Sequence, residues 1–106
     1  MKSTILIFVA SLGFAVAGTA LAVDMPAAGQ KKCSACHAVD RRAVGPAFKD
    51  VAAKYKDKKN ADELIAKSIK TGGSFGWKYG SMPPRGMGAT DAEVDTMAKF
   101  IASLAK

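Results

Sequence analysis

The sequence predicts an all-α domain of about four short helices. Apolar residues recur at three- and four-residue spacing, and almost no segment alternates apolar and polar residues with the period of two that strands require. Helix-capping residues and glycines bound these apolar segments at intervals typical of short helices. No internal repeat or linker divides the chain, so a single domain is expected.

Residues 1–22 are expected to form a cleaved signal peptide that does not belong to this domain. Lys2 precedes an apolar run too short to cross a bilayer with margin, and Ala20-Leu21-Ala22 has the small-residue pattern of a cleavage site. An uncleaved membrane anchor is the alternative. The mature domain would then span residues 23–106.

The first two helices are predicted on either side of the only histidine in the chain. Pro26 to Lys32 can form a short helix, with Asp24 or Met25 near its cap and a proline in its first turn. A second helix is expected to open at Pro46. Its apolar residues follow the helical spacing i, i+3, i+4 and i+7: Phe48, Val51, Ala52 and Tyr55.

The third and fourth helices are predicted from capping signatures. Asn60, with a glutamate three residues later, resembles a capping box and starts a helix that stops at Gly72. Thr90, followed by Glu93, repeats the signature more strongly and starts a helix that runs to about Ala105.

The segment between these two helices, residues 72–89, has no periodicity. It holds six of the ten glycines, together with Trp77, Met82 and Met87. A stretch of this length without secondary structure is usually functional in so small a domain. Something other than its own secondary structure is expected to hold it.

The composition excludes several classes of protein. A chain of 106 residues is too short for a large multilayer enzyme or a multidomain protein, and its small core usually needs a disulfide, metal or cofactor. The formal net charge is +7. In an exported protein, such a charge favours contact with acidic proteins or membrane surfaces over nucleic acid.

The segment from Cys33 to His37, Cys-Ser-Ala-Cys-His, carries the chemistry. In an exported chain, Cys-x-x-Cys-His is the haem-attachment motif of c-type cytochromes. Two intervening residues on a helical turn place the thiols of Cys33 and Cys36 on the side facing the two haem vinyl groups, and the next imidazole reaches the iron. One covalent haem c is therefore expected.

Three other interpretations of the cysteines compete with this one. A disulfide between Cys33 and Cys36 would close a very small loop and leave His37 unexplained. A thioredoxin-like redox pair requires a βαβ setting that the sequence lacks. A structural zinc site would lack its second pair of ligands.

A second axial ligand from this chain cannot be histidine, because His37 is the only one. It must be methionine, lysine or a weaker group. Met25 lies too near the terminus, and Met97 fits the apolar face of the fourth helix. Met82 is favoured over Met87, because the prolines that follow it impose an extended conformation suited to a loop crossing the haem face.

With these motifs in this order, the chain resembles the small monohaem class I cytochromes c of bacterial periplasms, which include electron donors to cytochrome cd nitrite reductases and terminal oxidases. The resemblance covers essentially the whole mature chain. It rests on the attachment motif, on Val-Gly-Pro-Ala-Phe-Lys-Asp-Val-Ala at residues 44–52, on Trp77 five residues before Met82, and on the closing helix. It implies the cytochrome c fold, with the helices wrapped around one haem.

The resemblance also implies roles for particular residues. Both motif cysteines would form thioethers, with proximal ligation by His37 and distal ligation by Met82. The carbonyl of Pro46 would accept the Nδ1 proton of the imidazole, and Trp77 would turn its indole N–H to a haem propionate. The expected site is therefore Cys33, Cys36, His37, Met82, Pro46 and Trp77.

Two departures from the family pattern concern the surroundings of the haem. Ser68 stands nine residues before the tryptophan, where relatives often carry Arg or His, so a charged partner for the propionate is absent at this position, and Lys67 or Lys70 could substitute for it. Arg85 stands three residues after the expected ligand methionine, where an amide is common.

The expected function is that of a soluble periplasmic one-electron carrier of a respiratory chain, cycling between Fe(III) and Fe(II), and not that of an enzyme. His/Met ligation leaves no open position on the iron, and the chain has no second catalytic constellation. The alternatives are a five-coordinate haem sensor or enzyme and a haem c subunit of a larger periplasmic oxidoreductase.

The expected partners are redox proteins of the periplasm or inner membrane with acidic docking surfaces. The mature protein is expected to be a monomer that neither binds nucleic acid nor spans the membrane. A small apolar patch ringed by cations would form the docking surface: Val44, Pro46, Pro83 and Pro84, surrounded by Lys32, Arg41, Arg42, Lys78 and Arg85.

Overall fold

The structure, a computed structural model, describes residues 23–105. These residues form four helices: α1 (Ala27–Lys32), α2 (Phe48–Tyr55), α3 (Ala61–Thr71) and α4 (Asp91–Ser103). Within this range the only β-type pairing is an isolated bridge between Gly73 and Met82. The all-α prediction is confirmed. The predicted signal peptide and its cleavage site lie outside the described residues.

The core forms where α4 packs on the other three helices, above all on α3. The inward face of α4 follows the helical spacing i, i+3, i+4 and i+7, and each of its members is 3% exposed or less: Val94, Met97, Ala98 and Ile101. Ile65 and Ile69 from α3 and Phe48 and Ala52 from α2 complete this layer. None of the helices in residues 23–105 is long and apolar enough to cross a membrane.

The first and last helices cross closely at Gly29, which is buried on α1. A Cβ at this position would lie 2.5 Å from Met97 Cε, so the two helices could not approach as they do with a larger residue. Pro26 itself occupies the N-cap position of α1. A helix of six residues is not stable alone, so α1 depends on this contact.

Only one of the two predicted capping boxes is formed. At the start of α4, Glu93 N donates to Thr90 Oγ1 at 3.2 Å, and Thr90 N donates to Glu93 Oε1 at 3.0 Å. The capping box predicted at Asn60 is wrong, because the Asn60 side chain makes no cap hydrogen bond to α3, although α3 does begin directly after Asn60. The φ and ψ of Asn60 are −110° and 40°, outside the extended region that an N-cap residue usually adopts.

The glycine-rich loop, residues 72–89, is held by backbone hydrogen bonds. Gly73 and Met82 donate to each other's carbonyl at 3.0 and 2.9 Å, which closes the loop at its base. Two bonds to α1 and α3 hold its second half: Arg85 N to Ile69 O at 2.7 Å and Met87 N to Lys32 O at 3.2 Å. The fold thereby places Met82 at a fixed point beside the core.

Candidate cofactor site

A cleft opens between α2, α3, the cysteine motif and the glycine-rich loop. The volume of the cleft is about 1130 Å³ when the solvent-filled space at its open mouth is included. Its walls are mainly apolar. The site residues expected from the sequence all border this cleft: Cys33, Cys36, His37, Pro46, Trp77 and Met82. The fold therefore brings together, at a single location, residues from both halves of the chain.

The cysteine motif forms a turn directly after α1. Cys36 N and His37 N both donate to Cys33 O, at 3.1 and 3.0 Å. This turn brings the two thiols and the imidazole to the same cleft, as the spacing of the motif predicts.

The two thiols are free, so the structure contains no Cys33–Cys36 disulfide. Burial raises the pKa of the Cys33 thiol, and the negative charges of Glu93 and Cys36 raise it further. The thiol is therefore protonated at neutral pH, whereas a thioredoxin-like redox pair needs a thiol with a lowered pKa. Within residues 23–105, no group of three His, Cys, Asp or Glu side chains could hold a metal ion, which leaves the zinc interpretation without ligands there.

The imidazole of His37 is held from three sides. Its Nδ1 lies 2.8 Å from Pro46 O, and its ring stacks on Phe48 with centroids 4.9 Å apart and an interplanar angle of 17°. A carbonyl only accepts hydrogen bonds, so Nδ1 is the donor in this contact and Nε2 is the ring nitrogen left for ligation. A Cβ on Gly45 would lie 2.5 Å from His37 Cε1, which makes glycine necessary there. The imidazole is thus oriented as a ligating histidine requires.

The four methionines within residues 23–105 fall into two groups, those that border the cleft and those that pack in or against the core. Met82 and Met87 border the cleft, whereas Met97 is 1% exposed in the core and Met25 packs against it. Met82 is partly buried against the core and tied by its backbone to Gly73. Met87 is 64% exposed. The geometry therefore favours Met82 as the thioether that a cofactor in the cleft would meet.

Two stacked aromatic rings form another part of the wall, and a cation lies against each of them. Trp77 stacks on Tyr79 with centroids 6.0 Å apart, and the Arg42 guanidinium lies 4.0 Å from the Tyr79 ring centroid. Lys54 Nζ lies 5.1 Å from the centroid of Trp77 and donates to Phe75 O. The sequence analysis missed the roles of Tyr79 and Lys54, because no local spacing pairs residues that lie on separate segments.

Neither Lys67 nor Lys70, the residues named as substitutes for a charge near the propionate, lines the cleft. Both border a shallow groove between α3 and α4 instead, and Lys70 Nζ lies 4.0 Å from Asp91 Oδ1. Ser68 does line the cleft, where its hydroxyl lies 3.5 Å from Tyr55 Oη. The position in question is therefore polar but uncharged.

The side chain of Arg85 binds residues at the start of α4. Its Nη1 lies 2.7 Å from Asp91 Oδ1 and donates to Ala89 O at 3.2 Å. The hydrogen bond and charge of Arg85, with a smaller contribution from Lys70, hold the pKa of the Asp91 carboxyl below its ordinary value. Arg85 is thus paired with Asp91, which offsets its charge in the ring of cations expected around the docking patch.

The expected apolar docking patch is only partly present at the surface. Val44 is 63% exposed, and Pro83 and Pro84 are exposed. Pro46 is buried, so its inclusion in the patch is wrong. Met87, which was not assigned to the patch, is an exposed apolar side chain at the cleft mouth.

The chemistry of the cleft fits a haem group. Two thiols are available for thioether bonds, the imidazole is oriented by Pro46, and a thioether is offered from the glycine-rich loop. These are the donors used by haem proteins with His/Met ligation. The remaining wall is mostly apolar and includes Phe48, Val51 and Ile69, as a large apolar ring requires.

Comparison with known proteins agrees with this fit. The family model for cytochrome c matches residues 17–105. Cytochrome c-552 of Nitrosomonas europaea is 41% identical over 104 residues, covering 98% of this chain and 99% of its own. Cytochrome c-551 of Pseudomonas aeruginosa is 44% identical over 73 residues, covering 69% of this chain and 68% of its own.

A crystal structure of the wild-type Nitrosomonas europaea cytochrome c552 superposes with a TM-score of 0.66 at 42% identity, over 73% of this chain and 95% of that one. The predicted cytochrome c fold is confirmed by this superposition. The family model spans the cysteine motif, the cleft and the closing helix. The chain belongs to the cytochrome c family.

Proposed function

We propose that this chain is a periplasmic one-electron carrier that uses one covalently bound haem c. A single observation carries the proposal: one apolar cleft brings together both motif thiols, an imidazole held by Pro46 and the thioether of Met82. Relatives named cytochrome c-552 and cytochrome c-551 support the same function. When bound, haem supplies the Fe(III)/Fe(II) couple.

The residues of the cleft have distinct tasks in this proposal. Cys33 and Cys36 hold the ring through thioether bonds, and His37 offers Nε2 to the iron. The bond from Nδ1 to Pro46 O fixes the orientation of the imidazole and raises its basicity. The Met82 thioether favours reduced iron and so raises the reduction potential.

An electron carrier is favoured over an enzyme or a five-coordinate sensor. Met82 on the distal side leaves no position for a substrate or a small ligand. Among residues 23–105, no Asp or Glu borders the cleft, so its described walls offer no carboxylate for acid/base chemistry. We therefore assign no enzymatic reaction to this chain.

The proposed site of action is the periplasm, after cleavage of residues 1–22. The mature protein would act as a monomer and meet acidic redox partners of the periplasm or inner membrane. Val44, Pro83, Pro84 and Met87 offer apolar contact near the cleft mouth. The nearby cations of the structure, Lys32, Arg41, Arg42 and Lys78, complement acidic partners and mainly accelerate encounter.

The axial ligand is tested by comparing Met82→Ala with Met87→Ala in the haem-loaded protein. A weak near-infrared sulfur-to-iron band accompanies methionine ligation. We expect Met82→Ala to abolish it, to lower the reduction potential and to ease binding of imidazole or cyanide, while covalent attachment persists. Met87→Ala is the control and should keep the band. Loss of the band in Met87→Ala, with its retention in Met82→Ala, would overturn the assignment.

The cofactor and the processing site are tested by intact mass spectrometry of the exported protein. The expected mass is that of residues 23–106 plus one haem, with no thiol open to alkylation. A bare polypeptide with two alkylatable thiols would contradict the proposal.

A further inference from the structure

The glycine-rich loop makes an excursion between Gly73 and Met82. The backbone bridge joins these two residues at the base, so residues 74–81 form a closed excursion whose last residue directly precedes Met82. The anchoring bonds at Arg85 and Met87 lie beyond Met82 and do not reach the excursion. The excursion therefore needs its own attachment to the rest of the fold.

That attachment is a column of four side chains in the order Arg42, Tyr79, Trp77 and Lys54, of which the two aromatic rings line the cleft. The two aromatic rings belong to the excursion. The two cations do not: Lys54 lies in α2, and Arg42 lies in the segment that follows the cysteine motif. The column thus ties the excursion to the part of the chain that holds the imidazole.

Among the side-chain hydrogen bonds, ion pairs and ring contacts within residues 23–105, the Arg42 end of the column is the one that joins residues 38–47 to the excursion. Residues 38–47 are in turn fixed beside the motif, since Gly45 N donates to Cys36 O at 2.7 Å and the carbonyl of Pro46 holds His37. A contact made at Tyr79, three residues before Met82, therefore links the two sides of the cleft.

We propose that Arg42 and Tyr79 form a clasp that positions Met82, by holding residues 74–81 against the imidazole side of the cleft. Opening of the clasp frees the excursion and lets Met82 withdraw, while the bridge to Gly73 breaks. Arg42 and Tyr79 are positioning residues, since the effect on the cofactor passes through Met82. The proposal rests on the proposed function in that it takes Met82 as the distal ligand.

The test compares Arg42→Gln with Arg41→Gln in the ferric, haem-loaded protein. Each variant removes one positive charge, and the two positions are adjacent. Arg42 lies over the ring of Tyr79, whereas Arg41 makes no cation–π contact among the described residues. Imidazole titration measures how readily the distal position opens. A cation–π contact of this exposed type corresponds to about a two- to fivefold change in an equilibrium, so Arg42→Gln should raise the apparent imidazole affinity by that factor. Arg41→Gln should leave it unchanged.

The same pair of substitutions in a Tyr79→Leu background completes a double-mutant cycle. Tyr79→Leu alone should raise the imidazole affinity at least as much as Arg42→Gln, because it also removes the stack on Trp77, and adding Arg42→Gln should then change nothing further. Equal effects of Arg41→Gln and Arg42→Gln would show that only net charge matters. An undiminished effect of Arg42→Gln without Tyr79 would show that the arginine acts elsewhere. Either result overturns the clasp.

Hydrogen exchange gives a readout that does not depend on ligation. The amide of Met82 donates to Gly73 O, so its protection reports closure of the excursion. Arg42→Gln should accelerate exchange of this amide about two- to fivefold, and Arg41→Gln should not. If Met82→Ala keeps the near-infrared band, the ligand assignment fails, but the exchange rates still decide whether the clasp exists. Unchanged exchange in Arg42→Gln would overturn it.

Discussion

Gly45→Ala tests whether the imidazole of His37 is held as tightly as the structure indicates. A Cβ at position 45 would lie 2.5 Å from His37 Cε1, 3.0 Å from Nδ1 and 3.1 Å from Nε2. Ordinary contacts of a Cβ begin near 3.4 Å, so the ring and the backbone must separate by almost 1 Å. The backbone φ of Gly45 is not in the left-handed region, so the effect of alanine is steric.

Neither partner can move without losing an interaction. Displacing the ring disturbs the hydrogen bond to Pro46 O and the stack on Phe48, and displacing the backbone strains the bond from Gly45 N to Cys36 O. A lost hydrogen bond costs about 1 kcal/mol, and inserting a methyl group into a packed site costs about 1–3 kcal/mol. We therefore expect Gly45→Ala to lower the free energy of unfolding by about 2–4 kcal/mol.

Urea unfolding of the haem-loaded protein measures this difference, with Val44→Ala as the neighbouring control. Val44 is 63% exposed, and its truncation should change the free energy of unfolding by less than about 0.5 kcal/mol. The reduction potential of Gly45→Ala should change as well, because the orientation of the imidazole is disturbed. If Gly45→Ala unfolds within about 0.5 kcal/mol of the parent protein, the idea of a tightly constrained imidazole is refuted.

Three further predictions follow from the caps and charges. Thr90→Ala should lower the free energy of unfolding by about 1 kcal/mol in urea, whereas Asn60→Ala, which loses no cap bond, should have a smaller effect. Because Arg85 lowers the pKa of Asp91 in the folded protein, this carboxylate stabilises the fold above its ordinary pKa of 3.8, and that stability is lost as pH falls through the lowered folded value. Asp91→Asn should therefore flatten the fall in urea midpoint between neutral pH and about pH 3; a fall as steep as that of the parent would contradict it. Electron transfer to an acidic partner should slow as salt rises, because charges are screened over about 10 Å at 0.1 M, and rates that stay flat would count against a basic docking surface.

The capping signatures show what sequence reasoning can and cannot establish. Thr90 and Asn60 are each followed by glutamate at the third position, and each directly precedes a helix. Thr90 has the extended backbone, with ψ of 165°, that lets its side chain reach back to α4, whereas the ψ of Asn60 is 40°. The start of both helices was therefore predictable, but the cap bond depends on a backbone conformation that the signature does not determine.

The residues of the cleft also divide into those whose meeting the sequence predicts and those whose meeting it does not. Cys33, Cys36 and His37 are adjacent in sequence, so a single turn explains why they meet, and the motif was sufficient to predict it. Arg42 and Tyr79 meet only because two loops converge, which no local pattern reports. Helical spacing alone argues against placing the Lys67 charge at the cleft. Lys67 shares α3 with the inward Ile65 and Ile69 but lies two residues from each, and residues two apart do not share a helix face.

The crossing of α1 and α4 has a consequence for how the protein matures. Synthesis starts at the N-terminus, so Cys33 and Cys36 leave the ribosome long before the last helix does. Cys33 belongs to the same buried cluster as Val94 and Met97 of α4, and α1 is too short to fold without that helix. Contacts between such distant segments form late, because a long stretch of chain must first be closed into a loop. The thiols are therefore expected to stay accessible to haem until the last helix has been made, and α4 covers Cys33 only afterwards.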